Sequence, residues 1–192
     1  MKLIKPFIII LLLLFTITAA RYGVANALFK STENQIKTWQ TFQPSHHQRL
    51  ADTYQDHIDN IDMAIALHHN PQYIETKAQL LEWGIRLNLV DKTASLRDAN
   101  ILYLQSTQLR PSWPVTWASL AINKWHLGEF DQEFVRYLLN AYRYGKNHPQ
   151  VTEVWQYVAS AVKQNQQSEL SQIMTPYAAI VDYYHKPLIS ER

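Results

Sequence analysis

The sequence Pro-Ser-Trp-Pro-Val-Thr-Trp runs from Pro111 to Trp117, so that its last tryptophan follows its first proline at an interval of six residues. The same interval separates Pro149 from Trp155, and Trp83 stands 34 residues before Trp117. A proline that ends one helix, with a tryptophan one turn into the next, is typical of helix-turn-helix repeats, and 34 residues is the tetratricopeptide period. The spacing therefore predicts an all-α fold built from antiparallel helix pairs of a short tetratricopeptide-like array, a class that presents surfaces to partners.

The composition excludes several classes of protein. A chain of 192 residues with only 4 glycines suits one compact helical domain plus a small appendage. Positions 1–29 carry three of the 18 basic residues and no carboxylate, which leaves 15 basic against 16 acidic residues for positions 30–192. That balance predicts no nucleic-acid partner. The absence of cysteine excludes disulfides, thiolate metal sites and a lipid-modified cysteine.

The first 29 residues form a hydrophobic segment in which Lys2 and Lys5 precede an uncharged run from Phe7 to Ala20. One interpretation is a cleaved signal peptide, because sites of the A-x-A kind occur near Ala20 and Ala27. The other is an uncleaved anchor, since Leu3 to Ala20 gives 18 residues, close to the length that crosses a bilayer. The very apolar Ile and Leu block favours the anchor. The two lysines then predict a single-pass protein whose body lies across the membrane, which in a bacterium means an inner-membrane anchor with the body in the periplasm.

Proline positions and apolar spacing predict helices, and no strands, for the remainder. Residues 30–70 are interpreted as a stalk (a short helix over 31–42) and a long capping helix over 46–69, with Ser45 as a candidate N-cap. Residues 71–192 are interpreted as the tetratricopeptide-like domain. Its predicted helices cover residues 72–89, 93–109, 113–126, 129–144, 151–164 and 168–184.

The repeat template matches two units unequally. In the first unit, Trp83, Ala99, Tyr103 and Pro111 fall at the template intervals. In the second, Trp117 and Tyr137 match, but Lys124 replaces an expected tyrosine and Glu133 replaces an expected small residue. The sequence Leu-Gly-Glu-Phe-Asp at 127–131 predicts the turn between the paired helices.

The histidines and acidic residues do not predict a catalytic or metal site. His46, His57 and His68 recur every 11 residues, which would separate them by about 16 Å along a helix, too far to share one ion. They are interpreted as solvated. Four aspartates at positions 52, 56, 59 and 62 are interpreted as a solvated helix face. The chain also lacks a nucleophile elbow and a phosphate-binding loop, so the prediction is a non-enzyme with no catalytic residues, no cofactor and no metal.

The strongest local candidate for a contact with a partner or a glycan is the segment around Arg110 and Trp113. Trp113 lies between two prolines at the predicted start of a helix, where it could serve as a packing residue or as an exposed aromatic surface. Trp117 is interpreted as a core residue.

At this segment the chain resembles the VpsP-type polysaccharide biosynthesis proteins. The resemblance is carried by two stretches, Leu109-Arg110-Pro111-x-Trp113-Pro114-x2-Trp117-Ala118-x-Leu120-Ala121 and Leu127-Gly128-Glu129-Phe130-Asp131-x-Glu133-Phe134. It implies a small membrane-attached helical protein of exopolysaccharide production, with no assigned chemistry. The expected function is a non-catalytic scaffold that binds envelope polysaccharide synthesis or export proteins. The alternatives are a periplasmic glycan-binding module and a helical-repeat adaptor for another envelope complex.

Overall fold

The structure is a computed structural model that describes residues 4–41 and 47–185, with side chains for all of these except residues 4, 6 and 47–52. The described residues form helices and no strand. The predicted all-α fold, with a long apolar N-terminal helix followed by packed helix pairs, is confirmed. The helices are α1 Ile4–Thr41, α2 His47–Leu67, α3 Pro71–Arg86, α4 Lys92–Leu109, α5 Pro114–Leu127, α6 Gln132–Gly145, α7 Pro149–Gln164, α8 Glu169–Met174, a 3-10 turn Thr175–Tyr177 and α9 Ala178–Tyr184.

Local sequence signals set most helix ends. Three prolines at positions 71, 114 and 149 occupy the first turn of their helices, where a missing N–H costs nothing. The side chain of Asp131 accepts a hydrogen bond from the backbone N–H of Phe134 and so caps α6. Gly128 ends α5 with φ 73°, a left-handed conformation that favours glycine.

Two predicted helices are wrong in detail. The short stalk helix over 31–42 is not a separate element, because α1 continues without interruption from the hydrophobic segment to Thr41. The helix predicted over 168–184 is divided into α8, a 3-10 turn and α9. Pro176 lies in that 3-10 turn, where its ring and missing N–H oppose a continuous α-helix. The N-cap proposed at Ser45 lies outside the described residues.

The chain divides into two compact units, residues 1–95 and 96–192. The predicted boundaries after residues 29 and 70 both fall inside the first of these, which is called unit 1, and the second is called unit 2.

Unit 1 is a three-helix arrangement of α1, α2 and α3. Arg21 near the middle of α1 bonds to Leu67 at the end of α2, whereas Trp39 near the end of α1 packs on Tyr54 early in α2. The two helices are therefore antiparallel. Phe29 of α1 stacks on Tyr73 early in α3, and Trp39 of α1 packs against Trp83 late in α3. Helix α3 therefore runs parallel to α1.

In unit 2, α5 and α6 form an antiparallel pair around the Gly128 turn, with the Trp117 and Tyr137 rings 6.0 Å apart. The fully buried Trp155 of α7 stacks on Tyr184 of α9 at 5.5 Å and donates a hydrogen bond to the carbonyl of Leu138. These aromatic contacts hold the later helices of the unit together.

Candidate functional site

The α4–α5 turn brings the two predicted contact residues together. The backbone N–H of Arg110 bonds to the Ser106 carbonyl at 2.9 Å, and the Trp113 N–H bonds to the Arg110 carbonyl at 3.2 Å. This tight turn folds the Arg110 side chain back until its guanidinium carbon lies 4.4 Å from the centre of the Trp113 ring. The arrangement is a cation–π pair, which orients the indole.

A close approach of two helix ends supports this turn. Pro114 opens α5 and is buried. A Cβ atom added at Gly145, the last residue of α6, would lie 2.5 Å from Pro114 Cγ. Only glycine permits this separation, because any larger residue would push the proline away. The position of Trp113, next to Pro114, is thereby tied to the α5–α6 pair.

Trp113 keeps 38% of its surface exposed. The ring of His148, the residue that precedes α7, lies 6.2 Å from the indole in a T-shaped arrangement. Among the described residues, Nδ1 of His148 is buried without a hydrogen-bond partner. The site therefore consists of a half-exposed indole held between a guanidinium and an imidazole, an arrangement suited to binding an aromatic, apolar or sugar surface.

The repeated proline-to-tryptophan interval does not repeat the same contact. The indole N–H of Trp117 donates to the carbonyl of Pro111 at 2.7 Å, whereas the indole N–H of Trp155 donates to Leu138 at 3.3 Å. Trp117 is half-buried rather than fully in the core. The tryptophans at 83, 117 and 155 share a simpler property: each packs against an aromatic side chain of another helix.

Lys124 and Glu133, the two residues of the second repeat that depart from the template, bind each other. Lys124, only 4% exposed, lies 3.2 Å from Glu133 and also contacts Asp131 at 2.6 Å and Glu129 at 3.3 Å. Burial opposes the charge on Lys124, but the hydrogen bonds that its ammonium donates to three carboxylates outweigh this effect and raise its pKa. An ion cluster therefore occupies the position where the template would place a tyrosine and a small residue.

The interpretation of His57 as a solvated histidine is wrong. Its ring is 8% exposed, its Nδ1 lies 3.5 Å from the Thr32 hydroxyl, and it packs edge-on against Trp39. Burial lowers the pKa of His57, with an opposing effect from Asp56. The mistake arose because the spacing of residues along α2 does not show which of its faces α1 covers.

The remaining candidates have ordinary surroundings. Asp56, Asp59 and Asp62 are exposed, as predicted, and Asp62 pairs with Lys77. The ring of His68 packs beside Tyr22. His46 lies outside the described residues, and Asp52 lies among those whose side chains are not described. Within residues 4–41 and 47–185, no group of three His, Asp or Glu side chains is arranged to hold a metal ion.

Unit 2 also carries an exposed aromatic cluster that the sequence did not predict. Trp125 packs edge-to-face with Tyr157 at 4.7 Å and with Phe130 at 5.2 Å, and Tyr157 is 52% exposed. A groove of about 350 Å³ adjoins Phe130 and is lined by residues including Ala161, Gln164 and Ser168. Trp125 and Phe130 are near neighbours around the Gly128 turn, but the contribution of Tyr157 depends on the packing of α7 and has no local signal.

Comparison with protein-family models finds no match, and comparisons with curated proteins and with solved structures find none either.

Proposed function

We propose that the protein is a non-catalytic scaffold of the bacterial envelope, anchored in the inner membrane by α1, with a periplasmic body that binds polysaccharide synthesis or export proteins. The proposed anchor is supported by the exposed apolar surface of α1. This helix is long and apolar enough to cross a membrane, with a mean hydropathy of 2.2 over its most apolar 18 residues, none of which is buried. The scaffold role rests on the packed helix pairs and on the half-exposed Trp113. The pathway rests on the sequence resemblance alone.

The N-terminal segment continues directly into the folded body. Ala25 and Phe29 are buried in the core of unit 1, so cleavage after Ala27 would remove one core residue and leave the other close to a new terminus. This supports an uncleaved anchor. The mass of the purified protein tests the point, because a mass that lacks residues 1–20 or 1–27 would contradict it.

The docking prediction concerns Trp113. We expect crosslinking in living cells, followed by purification and mass spectrometry, to recover envelope synthesis or export proteins with the native chain. Trp113→Ala should reduce that yield, because alanine removes the exposed indole around which an interface would form. Tyr183→Ala is the matched control, since Tyr183 is also an exposed aromatic residue of unit 2 and lies outside the two aromatic sites described above. Recovery of no such partner, together with unchanged polysaccharide output on deletion, would contradict the scaffold role.

A second function, glycan binding, is favoured by the same exposed indole, because aromatic faces stack on sugar rings. The test is titration of the purified protein with the polysaccharide while tryptophan fluorescence is recorded. Glycan binding predicts a saturable change that Trp113→Phe diminishes, although five other tryptophans remain. A pure scaffold predicts no saturable change in either protein.

The orientation is tested separately. Lys2 and Lys5 favour the cytoplasmic side, so a reporter that is active only in the periplasm should work when it is fused after residue 192. A reporter active only in the cytosol would reverse the proposed localisation while leaving the fold unaffected.

A further inference from the structure

The exposure of α1 changes abruptly at one level of the helix. The apolar side chains from Phe7 to Phe15 are each about half exposed or more, and residues up to Val24 remain exposed. Ala25 and Phe29 are then 0% and 2% exposed, because α2 and α3 cover them. The exposed residues 7–24, called the bare part of α1, therefore meet the buried part within a single helical turn.

Two charges limit where the bare part can lie in a bilayer. Lys5 and Arg21 enclose 15 uncharged residues, so these charges are about 24 Å apart along the axis. The hydrocarbon core is about 30 Å thick. Both side chains must therefore extend toward the head groups, and little room remains for the helix to slide in either direction.

Arg21 also marks the level of the α2–α3 turn. Its guanidinium donates a hydrogen bond to the carbonyl of Leu67, the last residue of α2, at 3.2 Å. The neighbouring Tyr22 ring lies 4.5 Å from the ring of His68. If Arg21 lies at the membrane interface, the turn that follows Leu67 must lie there as well.

We propose that the α2–α3 turn, residues 68–70, rests among the lipid head groups, so that unit 1 stands directly on the bilayer without a spacer. This inference rests on the proposed membrane anchor and adds the surface that meets the lipid. The turn carries two imidazoles and an amide, which can accept or donate hydrogen bonds to phosphate and water at this level. Tyr22, 50% exposed, supplies an interfacial aromatic residue beside them.

The alternatives in depth are both unfavourable. A deeper position would bring the imidazoles of His68 and His69 into hydrocarbon, where a polar group that loses water without gaining a partner is strongly destabilised. A shallower position would expose the Ile and Leu side chains of α1 to water, which the hydrophobic effect opposes. At the proposed depth, Gln40 lies about 28 Å from Arg21 along the axis of α1. It is therefore at the end of unit 1 that is far from the membrane.

The absence of cysteine allows the depth to be measured with single labels. Full-length variants His69→Cys, Gln72→Cys, Gln40→Cys and Leu12→Cys, each carrying one fluorophore, would be reconstituted in phosphatidylethanolamine and phosphatidylglycerol vesicles. The quenchers are lipids with a nitroxide either on the head group or within the acyl chain. All four residues are exposed, and a circular dichroism spectrum that matches the native chain confirms folding.

The head-group quencher should cause a large loss of fluorescence at positions 69 and 72 and little loss at position 40, while the acyl-chain quencher acts at position 12. Quenching at position 12 with none at positions 69 and 72 would overturn the resting turn but leave the anchor in place. No quenching at any of the four positions would overturn both the anchor and the inference. Equal head-group quenching at positions 69 and 40 would also overturn the inference, since unit 1 would then lie flat on the membrane.

Discussion

The two halves of α1 share one continuous helix but have opposite surroundings. In residues 7–24, called the outer half of α1, the apolar side chains point outward on every side. From Ala25 to Trp39 the buried residues form a single stripe at positions 25, 29, 32, 36 and 39, which is the spacing of one helix face. This segment, residues 25–41, is called the inner half of α1. Its exposed face carries Lys30 and Lys37, both paired with Glu33. The difference shows that local sequence makes both halves helical, while the pattern around the helix decides which half other helices cover.

The largest effect should come from the same substitution made in each half. Phe29→Ala removes a side chain that is 2% exposed and stacked on Tyr73, so we expect a loss of about 3–5 kcal/mol in the free energy of unfolding. Phe15 is 74% exposed, and Phe15→Ala should change that free energy by less than about 0.5 kcal/mol. Urea unfolding in detergent micelles, followed by circular dichroism, measures both. Equal losses of unfolding free energy would contradict the assignment of one half as buried and the other as exposed.

A smaller effect is expected from glycine substitutions. A Cβ atom at Gly84 would collide with the Tyr54 hydroxyl and would lie 2.9 Å from Cγ2 of Val90, whereas Gly23 in the outer half has nothing within 4 Å. Crowding typically costs about 1–3 kcal/mol, and alanine returns up to about 1 kcal/mol of helix propensity. Gly84→Ala should therefore lower the melting temperature, and Gly23→Ala should leave it unchanged or raise it. A lowered melting temperature for Gly23→Ala alone would contradict the assigned packing.

The smallest effect is a pH dependence of stability, which we attribute to His57, a histidine packed against the inner half of α1. Burial holds the pKa of His57 below 6.5, partly opposed by Asp56. Between about pH 6.5 and that lower value, only the unfolded chain binds the proton, so stability is complete above pH 6.5 and is lost as the pH falls below it. Urea midpoints from about pH 7.5 to pH 5.5 should fall for the native chain and fall less for His57→Gln.

The control for that measurement is His69→Gln, which changes an exposed histidine at the α2–α3 turn. Its midpoints should follow those of the native chain. A pH dependence that is undiminished in His57→Gln, or one that disappears in His69→Gln, would show that the core histidine is not its source.

Most of the helical framework was predictable because its signals are local. Pro71, Pro114 and Pro149 mark helix starts, and Gly128 with Asp131 marks the α5–α6 turn, since each acts through its own backbone conformation or a bond to a residue three positions away. The separate stalk helix was a wrong prediction because polar residues in the inner half of α1 resemble a weak helix when the covering helices are unknown.

The candidate site was only partly predictable. Arg110 and Trp113 are three residues apart, so their contact follows from the turn between them. The contribution of His148 depends on a residue 35 positions further along the chain, and the pairing of Lys124 with Glu133 depends on how α5 meets α6. Neither contact is encoded in a local spacing.

The sequence by itself determined that the chain is helical, where most of its helices begin, and that one of them is apolar enough to cross a membrane. These properties depend on dihedral preferences, capping bonds and hydrophobicity, which act over a few residues. Only the tertiary structure decided that α1 changes from bare to buried at Ala25, that His57 lies in the core, and that the α2–α3 turn is level with Arg21. Those outcomes depend on which helices cover which faces, and burial is a property of the packed assembly of helices rather than of any one segment.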